Sequence, residues 1–308
     1  MEPQQQETEP VISVIVPTRN RARSLRLLLE SFDRLDPPPV PYEIVIADNG
    51  SDDETPRILS QWRAAGPSRH VVRVMQPGKS RAVNAAIAQS KGQLLAFLDD
   101  DVVAEPRWLA EVWDYFTRHD CFAAQGSVVW PDEAMSDPEL YALLDRYRTI
   151  VHIDLDPDTV RTKLTGANMT IRRHTFAVVG LFNEKIGPGA AGLSEDNELA
   201  DRIRAHGGWI GYMKKARVIH EIEPSRLTEE YFEEYHRRQG RSRYAYKHNK
   251  VLTSILPNML KACFNYAVYS LTGDVRKKYR AKGRFYHYSE MLVLARKQRA
   301  QRPANARA

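Results

Sequence analysis

The chain has 308 residues, 43% of them hydrophobic, a net charge of +6 and two cysteines, Cys121 and Cys263. That length holds one large α/β domain, or one domain with a tail, around a sizeable core. Two cysteines this far apart exclude a disulfide framework and fit a reducing compartment. No run of eighteen apolar residues marks a spanning helix. Residues 1–10, MEPQQQETEP, are polar, lack a signal-peptide core and read as a disordered lead-in. The charge is unevenly spread: from Arg237 onward eighteen Lys/Arg face only Asp274 and Glu290, a net of +16, which leaves −10 for the first 236 residues. A basic segment on an acidic body expects an anionic partner.

In chain order, VISVIV (11–16) reads as a buried strand and SLRLLLESFDRL (24–35) as an amphipathic helix. YEIVIAD (42–48) is a second strand, followed by a helix at TPRILSQWRAA (55–65). VVRVM (71–75) is a third strand, SRAVNAAIAQS (80–90) a helix stopped by Gly92, and LLAFLD (94–99) a fourth strand. Alternating helices with near-continuous apolar strands predict a parallel sheet covered on both faces, which binds ligands beyond the carboxyl ends of its strands. At those ends stand PTRNR (17–21), DNGSDDET (48–55), QPGKSRAVN (76–84) and the run Asp99, Asp100, Asp101. A solvated loop explains any one of these; four at one rim suggest a pocket with cationic and anionic halves.

Three adjacent carboxylates at a strand end are costly without a counter-charge. Mg²⁺ or Mn²⁺ would supply it, taking one or two protein carboxylates and completing its shell with phosphate oxygens and water. Strand alternation would point Asp99 and Asp101 to one side and Asp100 to the other. Arg19, Lys79 and Arg81 are available for phosphate or for ion pairs with the acids.

Further along, His152 with Asp154, Asp156 and Asp158 lacks the glycine and terminal glutamate of a calcium loop and reads as a solvated turn. IGPGAAGLSED (186–196) fits a flexible acceptor lid or a plain loop. Asp196 opens a helical pattern ended by Gly207, where an acid serves equally as a base or as a helix cap. Trp130 and Trp209 fit core positions better than sugar platforms, and His174 and His206 read as surface residues. From Leu252 to Leu271 apolar residues recur at helical spacing, with Pro257 marking a start or kink. The basic, aromatic DVRKKYRAKGRFYHY (274–288) follows. Together they read as an interfacial membrane anchor over 252–288, or as a helix packed on the catalytic domain or a partner subunit.

ISVIVPTRNRARSL, EIVIADNGSDDET, GKSRAVNAAIAQSKGQLLAFLDDDV, TGANMTIRRHTFAVVGLFNE and SEDNELADRIRAHG, in that order, resemble family 2 glycosyltransferases over residues 11–225. The resemblance implies a GT-A fold, a nucleotide-diphospho-sugar donor and a Mn²⁺ or Mg²⁺ ion at an Asp-x-Asp motif. Matched by position, it implies that Pro17, Thr18 and Arg19 close over the nucleotide, that Asp48 bonds the base, and that Lys79 lies against the nucleotide. It likewise puts Asp99 and Asp100 beside ribose and diphosphate, makes Asp101 the direct metal ligand, and lets His220 join the metal. Glu195 and Asp196 match the family's acidic pair, in which the aspartate is the general base. Val83 stands where many members have an arginine, with Arg81 a candidate substitute. The Gln-x-x-Arg-Trp motif of processive synthases is absent, which favours one sugar per encounter.

These readings give an α/β, GT-A chain with a nucleotide-binding half at 11–101 and an acceptor half at 102–225. A helical, basic extension follows at 226–295 and a disordered tail at 296–308. The expected activity is inverting transfer of one sugar to an acceptor hydroxyl, on a glycan or lipid-linked acceptor, by a cytoplasmic protein peripheral on the inner membrane face. A homo-oligomer is compatible with the sequence, and no recognition motif supports a nucleic-acid partner. A nucleotidyltransferase would need a glycine-rich phosphate loop that PTRNRARSL lacks. A non-catalytic carbohydrate-binding protein would not need Asp99, Asp101 and Asp196.

Overall fold

The computed structural model describes residues 9–157, 159–247 and 250–301, so residues 1–8 of the lead-in, Asp158 and residues 302–308 of the tail lie outside the described residues. The chain divides into two compact units, the first made of residues 1–131, 151–184 and 196–221 and the second of 132–150, 185–195 and 222–308.

The first unit begins with β1 (Ile12–Thr18), α1 (Ala22–Phe32), β2 (Tyr42–Asp48), α2 (Thr55–Ala64), β3 (Arg69–Arg73), α3 (Lys79–Gln89) and β4 (Leu94–Leu98). It continues through β5 (Val102–Ala104), α4 (Trp108–Arg118) and β6 (Ala123–Val129). The chain then leaves to form α5 (Asp132–Ser136) and α6 (Pro138–Tyr147), and returns for β7 (Asn168–Arg172), α7 (Arg173–Val179), α8 (Glu195–Ala205) and β8 (Ile210–His220). One eight-stranded sheet runs β3-β2-β1-β4-β7-β6-β8-β5. β3, β2, β1 and β4 are parallel, β7 is antiparallel to β4 and β6, and β5 is antiparallel to β8.

The predicted βαβ alternation is therefore present, with element ends shifted by a few residues. β3 starts at Arg69 because that residue pairs with Ile44 of β2, and the chain turns off after Arg73. β1 is buried along its whole length, as a strand covered on both faces must be. α1 buries Leu25, Leu28, Leu29 and Phe32, spaced i, i+3, i+4 and i+7, against one face, each contributing about 1.5–3 kcal/mol. The opposite face of the sheet packs Ile15, Val45 and Phe97 against Ala82, Val83, Ala86 and Ile87 of α3 and against Leu199 and Ile203 of α8. Val83, which stands where the family often has arginine, is thus a core residue.

A buried polar hub ties the antiparallel half together. Asn168 is fully buried; its Oδ1 accepts from Trp108 Nε1 at 3.0 Å, and its Nδ2 donates to the carbonyls of Ser127 and Ala216 at 2.8 Å each. This one side chain joins β7, β6, β8 and α4.

The second unit is helical. α5 and α6 are joined by Asp137, whose carboxylate accepts from Glu139 and Leu140 N–H and caps α6, with Pro138 in its first turn. α9 (Glu229–Tyr246) is capped by Thr228, and its first turn carries Glu229 and Glu230. A π-helical turn, Val251–Ile255, leads into α10 (Leu256–Thr272), so Pro257 stands at the helix start. α11 (Val275–Gln301) closes the unit. Among the described residues no helix is long and apolar enough to cross a membrane.

The expected C-terminal helical extension is present, and α5, α6 and residues 185–195 group with it in one compact unit. Tyr147 of α6 sets its ring against Phe232 of α9 and Tyr279 of α11, with centroids 5.9 and 5.5 Å away. Of the two readings of residues 186–196, the plain loop fits: Ser242 of α9 donates to the Ala191 carbonyl and accepts from Leu193 N–H. α11 continues to Gln301, well into the expected tail, because residues 296–301 extend an established helix.

Candidate functional site

The carboxyl ends of β1, β2 and β4 are laced by their own loops. Asn20, in the left-handed conformation after β1, donates from its backbone to Ser51 Oγ and accepts from Asp52 N–H, both at 2.9 Å. Pro17 and Thr18 are buried in β1, while Arg19 is exposed. Asp48 is buried at the end of β2, where one oxygen accepts from Ser51 N–H at 2.9 Å and the other lies 3.7 Å from Arg73 Nε. Asn49 does similar work, donating to the carbonyls of Val74 and Gln76 and accepting from Gly78 N–H just before α3.

The strand geometry of β4 stops at Leu98, and the chain turns through residues 100–101 before β5. The alternation expected of the three acids therefore does not persist, and each goes its own way. Asp99 accepts from Lys79 Nζ at 2.6 Å. Asp100 accepts from the Thr18 hydroxyl at 2.7 Å. Asp101, buried, faces His220, with 3.7 Å between its Oδ1 and His220 Nε2. The register of β5 on β8 explains that meeting: Val102 pairs with His220, and Glu221 N–H donates to the Asp101 carbonyl. Arg81 is directed elsewhere, to Glu184 at 3.1 Å and the Pro77 carbonyl.

The electrostatics of this turn favour a cation. Burial, then the charge of Asp101, push the Asp100 carboxyl up to about 7, with Asp99 adding to the rise and Thr18 and Arg21 opposing it. His220 Nδ1 lies 2.8 Å from the Glu221 carbonyl, which can only accept, so a neutral ring carries its proton there. Its Nε2 lone pair then faces the Asp101 carboxylate across a gap too long for a hydrogen bond. An imidazole oriented through a backbone carbonyl, beside a buried carboxylate, is compatible with two ligands of a divalent metal ion. Asp101 and His220 fit such an ion. Asp99 does not join them as expected, since Lys79 holds it. Among the described residues no three His, Cys, Asp or Glu side chains already converge on one point.

Asp196 lies in the first turn of α8. Its Oδ1 accepts from Asn197 N–H at 2.7 Å and from Asn197 Nδ2 at 2.9 Å, and its Oδ2 accepts from Gly166 N–H at 3.1 Å. Glu195 is buried at the helix start. Gly166 is the residue that motif reading missed. A Cβ built on it would stand 3.1 Å from Lys79 Nζ and 3.3 Å from Asp99 Oδ1, so a larger residue would press on the Lys79–Asp99 pair, while the Gly166 N–H donates to Asp196. The segment TGAN was visible in the sequence, but nothing in it says which groups it separates.

Elsewhere, Trp130 is buried against His152 as a core residue, whereas Trp209, against expectation, is exposed and donates to the Asp120 carbonyl. Asp154 pairs with Lys214 at 3.2 Å, in keeping with a solvated turn.

Residues 13–179, more than half the chain, match the model for glycosyl transferase family 2. The chain belongs to that family. Similar curated members include the glycosyltransferase AglE of Haloferax volcanii, 36% identical over 103 residues that cover 33% of this chain and 34% of AglE. The beta-monoglucosyldiacylglycerol synthase of Synechocystis is 26% identical over 222 residues, 69% of this chain and 44% of the synthase. The chain thus spans about a third of AglE and under half of the synthase. Among solved structures, the mannosyltransferase PcManGT from Pyrobaculum calidifontis, in complex with GDP-Man and Mn²⁺, has a TM-score of 0.62 at 17% identity, covering 93% of this chain and 87% of its own. Residues 1–349 of Staphylococcus aureus TarS, in complex with UDP, give a TM-score of 0.52 at 16% identity, covering 93% and 91%. These likenesses establish the GT-A fold of this family 2 member.

Proposed function

We propose that this family 2 protein transfers a single sugar from a nucleotide-diphospho-sugar to an acceptor hydroxyl, on a glycan or lipid-linked acceptor, with inversion at the anomeric carbon. The observation that supports the reading is the nearness of the Asp196 carboxylate, through Gly166, to the Lys79–Asp99 pair, which would put a base beside the donor's phosphates. Lys79 would bind a phosphate of the donor, and Thr18 and Asp100 would border the ribose. Asp101 and His220 would hold Mn²⁺ or Mg²⁺, which when bound supplies charge for the departing diphosphate. Asp196 would take the acceptor's proton as its oxygen attacks, an effect of about 10²–10⁴-fold. The Asn197 and Gly166 N–H groups that donate to this carboxylate would orient it for that transfer. A single displacement with one base inverts the centre, since the oxocarbenium-like state is attacked from the face opposite the leaving group. The solved relatives holding GDP-Man with Mn²⁺, or UDP, support this donor class.

The test is calorimetry with UDP, GDP, dTDP and CMP, each with and without Mn²⁺. Metal-dependent binding of one nucleotide, abolished by Asp101→Ala, is the expected result. Absence of binding by all four, with or without metal, overturns the donor assignment. Asp196→Asn should keep the nucleotide affinity and lose about 10²-fold or more in turnover.

A further inference from the structure

α10 carries an apolar stripe that its own unit does not cover. Leu260, Phe264, Ala267 and Leu271 fall at i, i+4, i+7 and i+11 and so lie along one face of the helix, with Cys263 beside them. Leu260 is 65% exposed, Phe264 69% and Leu271 90%, and Cys263 is also exposed. Leu252 before the helix and Val275 after it are exposed too. Ala262, on another face, is the buried residue of this helix. Cations border the stripe: Lys261 is exposed on α10, and Arg276, Lys277 and Lys278 open α11. Lys278 Nζ lies 5.4 Å over the Tyr266 ring, one step round the helix from Cys263, so an aromatic and an ammonium group are paired at that rim, while Lys277 Nζ lies 5.7 Å over Tyr269 on the side away from the stripe. Asp274, bonded to Lys277, is the one acid between Lys250 and Lys282.

We infer that this face is a docking surface for an anionic lipid bilayer, with α10 lying in the interface and the lysines reaching the headgroups. Leucine and phenylalanine on one side, tyrosine and lysine at the border, and almost no acid are the pattern of a helix that rests on a membrane. No described helix can cross one. A second copy of the chain is disfavoured as the occupant, because stacking two such faces would bring their lysine rims together. The inference needs no donor or acceptor and stands apart from the reading of the transfer reaction.

The experiment uses the full chain with a solvatochromic maleimide. Cys121 is buried and Cys263 exposed, so the dye reports on the α10 stripe. The expected result is a blue shift, with co-sedimentation of unlabelled protein, on phosphatidylcholine vesicles containing phosphatidylglycerol but not on phosphatidylcholine alone, and weakening with salt. Lys261→Gln/Lys278→Gln should lower partitioning by about tenfold or more. Leu260→Ser/Phe264→Ser, both on the surface, should do so to a similar degree of about tenfold. An unchanged spectrum with no sedimentation overturns the inference, as does equal binding to neutral vesicles. A concentration-dependent dimer that shields Cys263 without lipid overturns it in favour of a second copy. Any of these leaves nucleotide binding and transfer untouched.

Discussion

At the scale of single residues, the site depends on side chains that need never touch the substrate. Asn197 donates to Asp196 Oδ1 from both its backbone N–H and its side-chain amide, and its own Oδ1 is buried without a hydrogen-bond partner, so the amide is placed by what it donates. Asn197→Ala would remove the side-chain bond and leave the backbone one. The expected outcome is a fall in kcat of about tenfold with donor KM unchanged, since aim is lost while the nucleotide pocket stays whole. Equal losses in both would show a merely structural role. Asn168 is structural by the same kind of reasoning: Asn168→Ala strands the Trp108 N–H and the carbonyls of Ser127 and Ala216 in a dry interior. A loss of about 3 kcal/mol or more follows, read from the denaturant midpoint. The candidate acids were legible because Asp99–Asp101 and Asp196 stand in recognisable strings. Their partners were not: that Asp99 meets Lys79 while Asp101 meets His220 depends on where β4 ends and on the register of β5 against β8. A rule of strand alternation cannot foresee either.

At the scale of elements, α9 and α11 cross at contact distance. A Cβ on Gly240 would run into the His287 carbonyl, and one on Gly283 into the ring of His236. Neither glycine has a positive φ, so the demand is for space alone. Gly240→Val should cost about 1–3 kcal/mol by forcing the helices apart, seen as a lower urea midpoint. The crossing also half-buries His236, whose ring lies 4.6 Å from that of Phe232. Burial pulls its pKa from 6.5 down to about 4, against a hydrogen bond with Gln239. The folded chain thus holds this ring neutral, while the unfolded chain protonates it near its ordinary value. The contribution is complete above pH 6.5 and is lost as pH falls toward 4, by at most about 3 kcal/mol. Urea midpoints at pH 7 and pH 4.5 should therefore differ more for the natural protein than for His236→Gln. Equal differences would show that His236 is solvated. None of this could be read from EEYFEEYHRRQG, whose helical period is clear but whose partner lies some fifty residues later.

At the scale of the molecule, the sheet was legible in its first hundred residues because β1 to β4 alternate with helices that directly follow them. Beyond Leu98 the order β7-β6-β8-β5 mixes directions and sequence distances, and local pattern no longer determines neighbours. The resemblance ends near residue 225, whereas the contacts within the chain group α6 and residues 185–195 with α9 and α11. A chain ending at Ser225 would keep α6 and remove what covers it. Tyr147 would lose the rings of Phe232 and Tyr279, Thr149 the Arg226 carbonyl it donates to, and Ala191 and Leu193 the Ser242 hydroxyl. Leu144, Tyr147 and Ile150, all buried in the full chain, would be open to water. The shortened chain is therefore expected to bind a hydrophobic dye and to melt without a sharp transition, whereas the full chain melts cooperatively. If it instead melts sharply within a few degrees of the full chain and binds the same nucleotide, residues 11–225 are self-sufficient and the helices only add to them. The physical argument points the other way, because a helix with its apolar side uncovered has little to hold it folded.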